Sequence, residues 1–268
     1  MAITTLPDLL DKMWQDYTAM NPQPLKIYNL FLERGDQVQN DHIAFRTFNH
    51  PKVNVDTLAQ PFLQSGYEYQ QDYHFVEKKL YAKHFEHPDT QMPKIFISEL
   101  KLEEFDDDLQ NAIQQLVNQV PEESTQQFDF CSNGRPWEVS YDIYEKLRVK
   151  SEYAAWMAAH GYRPNHFTVF VNALDSFNDI REVNEFIKQN GFKMNDSGGE
   201  VKGSKEVFLE QSSTLADTVE VNFSDGTYAV PACYYEFAQR HPQPNGDLYQ
   251  GFVATSSDKI FESTNKSQ

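Results

Sequence analysis

Two histidines and a few carboxylates stand where they could share one ion. His42 and Arg46 lie four residues apart in DHIAFRTF (41–48), so on an extended strand both project from one face, ~13 Å apart along the chain. His166 opens a second stretch of the same kind, NHFTVFVN (165–172), and Glu99 and Glu236 sit near the ends of KIFISEL and CYYEFAQR. Two imidazoles and one carboxylate with open positions form the facial set that suits a divalent first-row metal, non-haem Fe(II) in particular. A lone strand histidine is more often structural than ligating. What reverses the weight is that His42 and His166 begin matching strands of an internal repeat. Glu220 in TVEVNF competes for the carboxylate position, and the repeat favours Glu236.

Arg46 points into the same space as His42, and an arginine there needs an anion. The partner is either a carboxylate on a substrate or a protein carboxylate, for which Glu99 is the candidate. The matching position of the second copy is Phe170, so the fold itself does not require a cation. His50, His74, His84, His87, His160 and His241 read as solvated or turn residues, with His74 and His84 the two that could approach a cavity from neighbouring strands. No phosphate-binding glycine loop, nucleophile elbow or HExxH helix is present. Asp106-Asp107-Asp108 reads as a solvated first helical turn, because calcium-loop ligands are spaced apart around a glycine.

The elements that must position these residues fall into two copies. Helical spacing of Leu9, Leu10, Met13 and Tyr17, broken at Asn21-Pro22 and resumed at Leu25, predicts a helical cap over residues 1–40. A first module over 41–100 begins with the DHIAFRTF strand, continues with a helix over 54–65 ending at Gly66, and closes with strands through KIFISEL. A second, over 164–240, runs from NHFTVFVN through a helix over 175–190 ended by Gly191 to strands in GFKM, EVFLEQ, TVEVNF and CYYEFAQR. Two degenerate β-α-β-β-β copies are the economical reading. Residues 101–163 form a mainly helical insert, and 241–268 a segment that docks back, the whole being one catalytic domain.

The 268 residues carry 40 acidic and 23 basic side chains, a net charge of -17 that disfavours phosphate backbones and anionic lipid. The longest basic cluster is the pair Lys78-Lys79. No nucleic-acid or membrane partner is expected, no window is apolar enough to span a bilayer, and Asp8, Asp11 and Lys12 interrupt any export signal. Cys131 and Cys233 form no CxxC pair, which fits reduced thiols in the cytoplasm. The sequence sets no oligomeric state.

At DHIAFRTF, NHFTVFVN, and VPACYYEFAQR followed by GFVATSSDKIFEST, the chain resembles the 2-oxoadipate dioxygenase/decarboxylase family over nearly its whole length. The resemblance implies an α+β, vicinal-oxygen-chelate-like fold in which the two modules make an incomplete barrel around one metal site. It implies Fe(II), replaceable as isolated by Zn, Mn, Ni or Co, and conversion of 2-oxoadipate and O2 into 2-hydroxyglutarate and CO2 in lysine catabolism. The family's HxxxR motif falls on His42 and Arg46, its second histidine on His166 and its glutamate on Glu236. By that resemblance His42, His166 and Glu236 hold the metal and Arg46 binds a substrate carboxylate. A hydroxyl-bearing element near the family's C-terminus matches Thr255, Ser256 or Ser257. The chain is a short member without the long insertion that walls part of the pocket in characterised enzymes, so the preferred 2-oxoacid stays open.

Three rival readings use the same residues. One is a glyoxalase-like isomerase or lyase with a redox-inert metal and Glu99 as a fourth ligand or base. A hydrolase would need a metal-bound water and the same base. The third is a metal-free protein that binds a small dicarboxylate through Arg46 and the histidines.

Overall fold

The computed structural model describes residues 3–253. Two helices come first, α1 (Leu6–Met20) and α2 (Pro22–Glu33). The Thr5 side chain caps α1 by accepting from the Asp8 N–H, and Leu6, Leu9, Met13 and Tyr17 form its buried face. Asn21 separates the pair and Pro22 starts the second helix, where its missing N–H costs nothing.

The first module is β1 (Asn40–Phe48), α3 (Val55–Gln64), β2 (Glu68–Phe75), β3 (Leu80–Glu86) and β4 (Lys94–Leu100). The helical insert follows as α4 (Asp107–Asn118), α5 (Tyr141–Lys150) and α6 (Glu152–His160). The second module is β5 (Pro164–Phe170), α7 (Ile180–Gln189), β6 (Lys202–Ser204) and β7 (Leu209–Ser213), then a hairpin of β8 (Thr218–Phe223) and β9 (Gly226–Pro231), and finally β10 (Tyr234–Arg240).

All strands except the hairpin join one eight-stranded sheet in the order β2-β3-β4-β1-β5-β10-β7-β6. In each half the first strand lies parallel to the last, β1 to β4 and β5 to β10, and the remaining strands run antiparallel outward. The halves meet antiparallel at β1 and β5, with Ala44 opposite His166 and His42 opposite Thr168. This is the two-module, vicinal-oxygen-chelate-like α+β arrangement expected from the sequence. Module helices α3 and α7 end at the same kind of turn, since Gly66 and Gly191 have φ of +96° and +87°, a region costly for any residue with a Cβ.

Two strand expectations need correction. TVEVNF is extended but pairs only with β9, in a separate two-stranded ribbon, so Glu220 is exposed on that ribbon and stands outside the eight-stranded sheet. The Ser224-Asp225 turn closes this hairpin locally and removes both strands from the sheet. GFKM contributes only an isolated bridge from Met194 to Thr214, and Lys202–Ser204 supplies the edge strand.

β1 is buried on both faces, one toward α3 and the other toward α6. Every residue of α6 from Tyr153 to His160 is buried. That helix ties the modules together: the Tyr153 hydroxyl donates to the Ser98 carbonyl at 2.7 Å and accepts from the Thr47 N–H at 3.0 Å, while Trp156 Nε1 donates to the Ala232 carbonyl at 2.7 Å.

Candidate metal centre

The pseudo-twofold at β1 and β5 places the two imidazoles together. Their ring centroids are 5.5 Å apart at 83°, and Glu236, third residue of β10, brings its carboxylate between them. Nε2 of His42 is 3.5 Å from one Glu236 oxygen and Nε2 of His166 is 3.2 Å from the other. One donor atom from each of the three residues lies within 4.8 Å of the others, and all three side chains are buried. Donors held ~2.1 Å from one ion at right angles to one another would be ~3 Å apart, so the set fits a first-row divalent cation.

Each of the three has a partner behind it. Asp41 Oδ1 is 2.8 Å from Nδ1 of His42, Asn165 Oδ1 is 3.1 Å from Nδ1 of His166, and Gln211 Nε2 donates to Glu236 at 2.6 Å. A carboxylate can only accept, so Nδ1 of His42 carries the proton and Nε2 is left as the lone pair that faces Glu236. Asp41 reaches the side chain of the very next residue because the register of β1 on β5 shifts between Asn40 and His42. The Thr168 hydroxyl is 3.1 Å from the same Nε2.

The electrostatics call for a cation. Burial pushes Glu236 up to about 8, against the opposing Gln211 hydrogen bond. Burial lowers His42, with Asp41 acting the other way, and lowers His166 well below its ordinary value, with His42 and Arg46 nearby acting in the same direction. Two neutral imidazoles around a carboxyl that burial keeps protonated form a site whose ionised form needs a positive charge between the donors.

Arg46 lies on the His42 side of β1, two pleats further along, and is 2% exposed. Its guanidinium stands 4.9 Å from the Tyr153 ring and 5.0 Å from the Trp156 ring, both on α6. With Leu80, Phe105 and Tyr153 it also lines a cavity of about 400 Å³. Beside the triad, Tyr234 stacks on His166 at 4.6 Å, and Phe252 stands edge-on to His42 at 4.9 Å.

Glu99 is not with this group. It is opposite Thr47 in the β4 register, and it accepts the Val55 N–H at the start of α3 at 2.9 Å, on the other side of the sheet. It is therefore neither a fourth ligand nor the partner of Arg46. Thr255, Ser256 and Ser257 lie outside the described residues. His84 and His160, expected to be solvated, are each 2% exposed. His84 bonds Tyr73 and Glu86, and His160 bonds the Pro231 carbonyl. His74 is exposed beside Asp72. Sequence reasoning missed Asp41, Asn165, Gln211 and Phe252, although an Asx residue directly before each repeat histidine was a readable signal for two of them.

Residues 2–247 match the family described as 2-oxoadipate dioxygenase/decarboxylase. A chloroplastic 2-oxoadipate dioxygenase/decarboxylase from Arabidopsis thaliana is 34% identical over 287 residues, covering 97% of this chain and 77% of that protein. Among solved structures, the hydroxyglutarate synthase of Oryza sativa in complex with 2-oxoadipate is similar at 32% identity and a TM-score of 0.89, over 100% of this chain and 97% of that one. A protein of Shewanella frigidimarina NCIMB 400, described provisionally as a hydrolase, is 53% identical with a TM-score of 0.90, over 95% of this chain and 100% of that one.

Proposed function

The chain belongs to the 2-oxoadipate dioxygenase/decarboxylase family, an enzyme of oxidative 2-oxoacid decarboxylation, and we propose that it is Fe(II)-dependent and converts 2-oxoadipate and O2 into 2-hydroxyglutarate and CO2. The observation that carries this reading is the buried triad of His42, His166 and Glu236 on the same face of the sheet as Arg46. His42 and His166 supply Nε2 donors and Glu236 a carboxylate oxygen, leaving the opposite side of the site for substrate. When bound there, Fe(II) supplies the redox chemistry that couples O2 to loss of the 2-oxoacid carboxyl group.

The rest falls to the protein. Arg46 receives the carboxylate at the far end of the substrate, and a planar fork between two aromatic rings holds it in one orientation. Anchoring that end fixes which carbon of the chain faces the reacting centre. Phe96 and Phe252 pack together beside His42, with ring centroids 4.8 Å apart, and keep water from that side. Gln211 holds the Glu236 carboxylate in place, and the Thr168 hydroxyl, 3.1 Å from His42 Nε2, is a polar group at the site. Thr255, Ser256 and Ser257 follow within five residues of Phe252 in the sequence, and we assign the hydroxyl contact to substrate to one of them.

We place the reaction in lysine catabolism and treat residues 1–268 as one catalytic domain. Two buried, unpaired cysteines, Cys131 and Cys233, suit a reducing compartment such as the cytoplasm. Among the described residues no helix is long and apolar enough to cross a membrane. The isomerase and hydrolase readings both leaned on Glu99 as a base, and its bond to Val55 on the far side of the sheet disfavours them.

The test is oxygen uptake by Fe(II)-reconstituted protein, titrated with 2-oxoadipate and with shorter and longer 2-oxoacids while CO2 is followed in parallel. One CO2 per O2 is expected, with 2-oxoadipate preferred. Bound iron with no uptake on any 2-oxoacid would sink the proposal.

A further inference from the structure

Asp41 is held between His42 and Arg240. Its Oδ1 lies 2.8 Å from His42 Nδ1 and accepts from Arg240 Nη2 at 2.8 Å, and its Oδ2 accepts from Nε at 2.6 Å. Arg240, at the end of β10, is 2% exposed, and its Nη1 donates to the carbonyls of Tyr249 and Gly251, both at 2.9 Å. The guanidinium carbon stands 5.4 Å from the ring of Phe252, the ring that meets His42. From the other module, the Tyr73 hydroxyl accepts the Phe252 N–H at 3.1 Å and bonds His84 Nδ1 at 2.8 Å. One short segment is thus gripped by both halves of the barrel, and it lays an aromatic ring against the imidazole.

We propose that Asp41 and Arg240 are positioning residues that join two requirements in one hydrogen-bonded unit: aim of His42 Nε2 at the metal, and closure of Phe252 over the His42 ring. This rests on the reading of His42, His166 and Glu236 as a metal centre. Asp41 fixes the tautomer and ring angle of His42. A carboxylate so deeply buried needs its own cation, and the Arg240 guanidinium supplies it through two hydrogen bonds, one to each oxygen. The same guanidinium donates to the carbonyls at 249 and 251, so one side chain serves both the anchoring of Asp41 and the placement of Phe252. Loss of Arg240 therefore disturbs both at once. The second imidazole has no such link, since its partner is the neutral Asn165.

The full-length, metal-free protein, titrated with Co(II) and followed by its visible absorption, tests both layers separately. Wild type is expected to bind one Co(II) per chain and His42→Ala to lose it; a wild type that binds none, or a His42→Ala protein that binds normally, overturns the metal reading and this proposal with it. Given normal wild-type behaviour, Asp41→Asn and Arg240→Met should each weaken Co(II) binding roughly 10- to 100-fold. Arg240→Met should also speed amide exchange at 249–252, as should Tyr73→Phe, the latter without loss of Co(II) affinity. Arg240→Lys, which keeps the charge but not the fork, should restore part of the affinity while leaving those amides fast. Wild-type Co(II) affinity in Asp41→Asn and Arg240→Lys refutes the positioning role, and unchanged exchange at 249–252 in both Arg240 variants refutes the link to closure.

Discussion

Loading the metal-free protein with a divalent cation should release close to one proton at pH 7, and that proton should come from Glu236. Burial raises this carboxyl to about 8, so at pH 7 ~0.9 of the chains carry it protonated, and at pH 9 only ~0.1. His42 and His166 are both lowered from an ordinary value of 6.5 and add little at neutral pH. Apparent affinity should accordingly rise about tenfold from pH 6 to 7 through this group and level off above pH 8. Stability follows with a definite sign. The folded chain binds the Glu236 proton more tightly than the unfolded one, so the contribution is full below about pH 4.5 and is lost as pH rises through 8. Over that window the metal-free protein should weaken by about 1.4 kcal/mol per pH unit, and metal should remove the slope. Calorimetric titration with Co(II) in two buffers of different ionisation heat reads the proton count directly. Stoichiometric binding with no proton released at pH 7 would show that the buried carboxyl is already ionised, and the desolvation argument would fail.

Arg46→Ala should keep its metal and lose about 3 kcal/mol of substrate interaction, roughly a 100-fold drop in kcat/KM for 2-oxoadipate; full activity with bound iron would refute the assigned role. Glu99→Gln should leave metal stoichiometry and turnover within twofold of wild type, because its contact is with the Val55 N–H, and a lost metal would restore Glu99 as a ligand. For His160, burial lowers the pKa to about 3 despite the Pro231 carbonyl bond, so the neutral ring stabilises the fold above about pH 6.5 and that contribution is lost as pH falls toward 3. His160→Gln should flatten this acid limb of a urea-unfolding series by about 1 kcal/mol per pH unit, and an unchanged limb would refute the assignment.

The triad was legible in the sequence because it is built on repetition. His42 and His166 occupy matching strands, and a pseudo-twofold that pairs those strands necessarily pairs the imidazoles. The same argument equated Glu99 with Glu236 only by their nearness to strand ends, and there it failed. Register decides the matter: Lys94 stands opposite His42 as Tyr234 stands opposite His166, so the position equivalent to Glu236 is Phe96. Glu99 is three residues beyond Phe96, and an odd offset on a strand turns the side chain to the other face. One copy thus puts a ligand into the cavity where the other puts an apolar wall that packs on Phe252.

What local pattern could not show was contact between segments remote in sequence. Asp41 and Arg240 are 199 positions apart, and neither carries any mark of its partner until β10 is placed beside β5 and β5 beside β1. The burial of His84 was hidden for a related reason, since its hairpin is polar and one of the rings that cover it, Phe252, comes from a segment remote in sequence. TVEVNF shows the limit from the other side: its alternation specified a strand correctly, but a hairpin turn gave it a neighbour closer than the sheet. Periodicity fixes which residues share a face, and repetition fixes which faces meet. Neither reports the long-range ion pair behind a ligand, and that is where the chemistry of His42 is set.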